Sequence, residues 1–119
     1  MTVQEIAIKL AEYCRTEKYE QAQQELYAAD VISIEPDTLS GFEKETHGLQ
    51  NILEKGRKFQ GMVETSYGST VSAPLVAGNS FAFTLTMDLK MKGRERSQMS
   101  ELCVYVVQDG KVVSEQFFW

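Results

Sequence analysis

The stretch SFAFTLTMDLKM, Ser80 to Met91, constrains the fold more than any other part of the chain. Its odd positions, Phe81, Phe83, Leu85, Met87, Leu89 and Met91, are all apolar, and the even ones are mainly Ala, Thr, Asp and Lys. A period of two marks a strand with one buried face, so the chain must build a sheet that is strongly apolar on one side. Other strands follow from the same period. MVETSYGSTVSAPLV reads as a strand turned by AGN, ERSQMSELCVYVV as the next, and KVVSEQFFW, after the turn DG, as the last.

Before Gly61 the period is helical. Ile6, Leu10, Tyr13 and Cys14 predict a helix over residues 2–16, EKYEQAQQELY a second, and Leu49, Ile52, Leu53, Gly56 and Phe59 a third from about Leu49 to Gln60. Between them DVISIEP reads as a short strand and DTLSGFEKETHG as a polar loop without regular structure. Helices first and strands later give an α+β fold: a curved antiparallel sheet with three helices packed on its concave face. With 119 residues, the expectation is one domain, residues 1–119.

The net charge of -5 argues against a nucleic-acid partner. No run has the length of a membrane span, and the N-terminus carries charges within its apolar pattern, unlike a signal peptide. Cys14 and Cys103 lie in unlike contexts and read as core residues of a cytoplasmic protein. One histidine and no Cys/His spacing leave no metal site, and no phosphate loop or Gly-x-Ser-x-Gly elbow implies a cofactor or a serine nucleophile.

ELYAADVISIEP and VYVVQDGKVVSEQFFW, in this order of elements, closely resemble the nuclear transport factor 2-like superfamily, and within it the small bacterial SnoaL-like proteins. The resemblance spans the chain and implies a cone with a pocket between helices and sheet. It also implies a homodimer paired through the convex face. It does not imply an activity, because the fold hosts isomerases, cyclases, dehydratases and binding modules. Among relatives, ketosteroid isomerases carry a base immediately before a proline, and Glu35 stands before Pro36. Their second acid corresponds to Glu101, and the aromatic that ends the last strand to Trp119. Their oxyanion tyrosine falls on Leu10, with Tyr13 one turn further on as a substitute donor if the helix is rotated.

Whether Glu101 faces inwards depends on the turns. A two-residue Asp109-Gly110 turn puts Glu101 on the face of Phe118. A three-residue Gln108-Asp109-Gly110 loop, the reading favoured here, puts it with Met99, Phe117 and Trp119, and the same choice at Met91–Gly93 sets it opposite Phe83. Two acids in one apolar pocket resist joint ionisation, which suits one as base and one as protonated donor beside a carbonyl. The alternative is a solvated strand end at Glu35 and a surface ion pair at Glu101. His47 and Lys55 are further ligand-contact candidates, set against a surface histidine and a lysine that reaches solvent. Phe83, Met87, Met99, Phe117 and Trp119 would line a cavity for a small hydrophobic molecule or, equally, pack as core. Leu102, Val104 and Val106 fall on the opposite face, where an exposed apolar patch marks a homodimer interface. Two functions stay open: an enzyme of isomerisation, cyclisation or dehydration with Glu35 as general base, or a non-catalytic binding or accessory module.

Overall fold

The structure is a computed structural model that describes residues 1–36 and 43–119; part of the polar stretch after Pro36 lies outside the described residues. In chain order the elements are α1 (Val3–Arg15), α2 (Tyr19–Leu26), β1 (Tyr27–Ile34), β2 (Glu45–His47), α3 (Leu49–Met62), β3 (Val63–Val71), β4 (Leu75–Ala77), β5 (Ser80–Met91), β6 (Arg96–Gln108) and β7 (Lys111–Phe118). The sheet order is β2-β1-β7-β6-β5-β3, with β4 also paired to β5.

Thr2 starts α1 with a capping box: its hydroxyl accepts the Glu5 N–H at 3.1 Å and the Glu5 carboxylate accepts the Thr2 N–H at 2.9 Å. Such a reciprocal cap contributes about 1 kcal/mol. Ile6, Ala7, Leu10, Ala11 and Cys14 form the buried stripe of the helix. At its end Glu17 adopts φ 61°, and its carboxylate accepts the hydroxyls of Ser66 and Ser69, which ties this turn to β3. The helices cover the apolar face of β5 and β6, where Phe81 and Phe83 pack on Tyr105 with ring centroids 4.9 and 5.3 Å from it.

Four details depart from the sequence reading. The short β2 lies within the stretch expected to be irregular, its residues paired to Ile32, Ser33 and Ile34. β1 runs parallel to β7, the one parallel pairing among the described residues; the many intervening elements give the chain room to return in the same direction. The β6–β7 connection is a two-residue Asp109-Gly110 turn, since Val107 pairs with Val112 and both turn residues have positive φ. A bulge at Val113 then shifts the register by one, so Cys103 faces Phe117 and Tyr105 faces Glu115. Finally, Lys90 pairs with Arg96, so β5 and β6 are joined by a longer loop than expected and Glu101 sits opposite Leu85 rather than Phe83. The loop is longer by an even number of residues, which leaves Glu101 on the same face.

Candidate functional site

A cavity of about 1330 Å³ lies between the three helices and the inner face of the sheet. Leu10, Ile52, Leu53, Leu85, Met87 and Phe117 give it apolar walls, and Met99 and Trp119, 42% and 57% exposed, stand at its rim.

A chain of hydrogen bonds crosses the polar side of this cavity. Ser33, wholly buried on β1, donates to Glu115 Oε2 at 2.6 Å and accepts from Lys55 Nζ at 2.8 Å. Lys55, one turn from Ile52 on α3, also donates to Glu35 Oε1 at 3.1 Å, and both side chains of that pair are 16% exposed. The Tyr27 hydroxyl donates to the other oxygen of Glu115. The alternation of β1 puts Ser33 on the buried side with Val31, and Glu35, just past the strand, continues that side. The bulge at Val113 aims Glu115 and Phe117 into the same space.

Glu101 enters the cavity from β6 and accepts a weak 3.8 Å contact from the Cys103 thiol. Burial, then the charges of Glu35 and Glu115, push its pKa up to about 7. Burial also raises the pKa of Glu115, against the lowering effect of its bonds from Ser33 and Tyr27. Desolvation raises the pKa of the Cys14 thiol to about 12 and that of the Cys103 thiol further, so neither is a ready nucleophile. No group of three or more ligating side chains suited to a metal occurs among the described residues.

Several residues singled out from the sequence therefore meet here: Glu35, Glu101, Lys55, Met87, Met99, Phe117 and Trp119. Three others do not. The Tyr13 hydroxyl turns to Glu25 on α2 at 3.0 Å, because the stripe of α1 that faces the cavity runs from Leu10 to Cys14 and leaves Tyr13 beside it. His47 is exposed and pairs with Glu45 at 2.9 Å across the short β2. Phe83 is core, packed at a tilt against Tyr105 rather than lining the cavity. The sequence reading missed Glu115, Ser33, Tyr27 and Tyr105. The alternation that pointed Phe117 and Trp119 inwards carries Glu115 with them, and that was the available signal.

Three helices on a curved, open sheet, with carboxyl groups gathered in an apolar cavity between the layers, define a small α+β cone protein built around a pocket. The chain belongs to the SnoaL-like family, whose domain matches residues 1–119. No curated protein matches it in sequence. In structure it is similar to a protein from Mesorhizobium loti named as a candidate SnoaL-like polyketide cyclase, with 30% identity, a TM-score of 0.90 and 100% of both chains covered. A candidate isomerase from Bacillus subtilis shares the fold at 18% identity and a TM-score of 0.79, over 100% of this chain and 89% of that one. So does TerC, co-crystallised with polyporic acid, at 12% identity and a TM-score of 0.80 over 99% and 92%.

Proposed function

We propose that the cavity binds a small, largely apolar organic molecule bearing a carbonyl group, and that its carboxyl groups move a proton on that molecule. The observation that carries this reading is the gathering of Glu35, Glu101 and Glu115 in one apolar cavity, with the ammonium of Lys55 bonded among them. Glu35, held by Lys55, takes a proton from the carbon next to the carbonyl. Glu101, protonated, donates a hydrogen bond to the carbonyl oxygen as negative charge develops on it. The resulting enolate takes the proton back from Glu35 at the same carbon or a conjugated one, or its carbon attacks a second carbonyl and closes a ring, and the alkoxide so formed takes the proton that Glu35 holds. The Mesorhizobium loti relative, named as a candidate polyketide cyclase, directs the search towards cyclic, polyketide-like carbonyl compounds.

Solvent deuterium exchange tests this without a known product. Cyclic ketones and 1,3-diketones incubated in D2O are expected to exchange their α-protons faster with the protein, as read by NMR. Glu35→Gln should lose this acceleration while keeping ligand-induced chemical shifts, and Glu101→Gln should slow it by about 100-fold. Binding without exchange by the native chain would make it a carrier of such molecules instead. We also propose a homodimer through the outer sheet face, where Leu102 and Phe118 are paired neighbours, 41% and 45% exposed, beside Val104 and Val106. The buried free thiols of Cys14 and Cys103 suit the cytoplasm, and no described helix is long and apolar enough to cross a membrane.

A further inference from the structure

Gly56 stands inside α3, where glycine is among the poorest helix formers. Two reasons ordinarily retain such a glycine. One is a backbone conformation that other residues resist, but Gly56 is helical and is not among the positive-φ glycines. The other is close approach of a packed neighbour, but a Cβ added at Gly56 would meet no described atom within 4 Å apart from its two chain neighbours and the backbone of its own helix. Neither reason applies. What Gly56 does face is the cavity, at the centre of the helix stripe that lines it: Ile52 and Leu53 lie one turn before, and Phe59 and Gln60 one turn after. The apolar wall therefore has a notch in its middle, floored by backbone. Lys55, the next residue back, carries the ammonium bonded to Glu35 and Ser33, so the notch adjoins the polar groups of the site.

We infer that Gly56 is a specificity-determining residue, whose missing side chain lets a flat ring of the ligand lie against α3 with its oxygen-bearing edge towards Lys55 and Glu35. The inference rests on the pocket reading above and narrows it to planar, conjugated ring compounds. Space at this point serves nothing in the empty fold, and the helix would be more stable if it were filled. A side chain at position 56 would occupy the place of the ring face while leaving every polar group of the site where it is.

Gly56→Ala and Gly56→Leu separate the two roles a glycine can have. Thermal melting of Gly56→Ala is expected to rise by about 4 °C, from helix propensity alone. Binding is read by fluorescence or NMR titration with two probes, the planar 2-acetylnaphthalene and the slimmer, non-aromatic cyclohexenone. The planar probe should lose about tenfold in affinity with Gly56→Ala and bind undetectably to Gly56→Leu, while cyclohexenone should lose less than threefold with Gly56→Ala. A Gly56→Ala protein that melts higher and binds both probes as the native chain does would overturn the inference and leave the pocket reading intact. A lower melting temperature would also overturn it, by showing that the glycine serves packing. A native chain that binds neither probe would overturn both readings.

Discussion

Of the three carboxyl groups Glu35, Glu101 and Glu115, Glu101 has the weakest partner, a thiol at 3.8 Å, whereas Glu35 has an ammonium and Glu115 has two hydroxyls. Its raised pKa therefore has consequences for stability. Below its ordinary value of 4.5 the group is neutral in both the folded and the unfolded chain and contributes nothing. Between there and about 7 the folded chain keeps a proton that the unfolded chain has released, so stability falls as pH rises. Above about 7 the loss is complete and amounts to about 3 kcal/mol. Glu101→Gln should accordingly be close to the native chain in urea unfolding near pH 4.5 and more stable by about that amount at pH 8. A gap that stays constant across this range would show that Glu101 is solvated. The same residue illustrates how far single positions were legible. Glu35 and Glu101 were candidates for the cavity through the family resemblance and the strand register, with a solvated strand end and a surface ion pair as the alternatives. Ser33 was not, because a serine in a hydrophobic strand carries no visible sign of the ammonium and carboxylate that bracket it. Tyr13 stayed conditional on the rotation of α1, because helical periodicity gives a face but not its exact rotation.

At the scale of elements, the β6–β7 hairpin shows two local features that combine to give one outcome. Asp-Gly suits a type I′ turn, in which both residues take positive φ and the twist matches that of the strands. Taken alone, that turn would send Glu101 to the face of Phe118. The bulge at Val113 restores the parity, and nothing in KVVSEQFFW announces a bulge, which falls where the pairing of β7 with β1 also shifts register. The expected inward face was therefore reached by a different turn. Asp109 tests the observed one, since it sits at φ 51°, where a β-carbon is strained and aspartate is tolerated better than alanine. Asp109→Ala should cost about 1 kcal/mol in urea unfolding and Asp109→Gly close to nothing. A bulged three-residue loop would instead leave Asp109 right-handed, so Asp109→Gly would destabilise and Asp109→Ala would be tolerated.

For the whole molecule, the change from a period of 3.6 to a period of two near Gly61 made the α+β architecture legible, because hydrophobic pattern decides which layers a chain can stack. The parallel strand β1 was less legible, since strand direction depends on the path of the chain rather than on side chains. The same two-faced sheet leaves an asymmetry. Its inner face is covered by helices, whereas Leu102, Phe118, Val104 and Val106 lie together on the outer face, bordered by Thr84 and Thr86 on β5. Apolar side chains on the middle strands of a sheet face normally meet another surface. A second copy meets the geometric requirement simply: two such faces related by a two-fold axis bring Leu102 and Phe118 of each chain onto the other. Sedimentation velocity at tens of micromolar should therefore give a dimer for the native chain, and Leu102→Glu with Phe118→Glu should give a monomer, because four buried like charges per interface would replace four apolar contacts. The cavity opens on the opposite side of the sheet, so the monomeric variant should still bind the ketone probes. A native chain that sediments as a monomer would leave this face to some other partner, and a variant that loses both the dimer and the ligand would mean that the interface shapes the pocket.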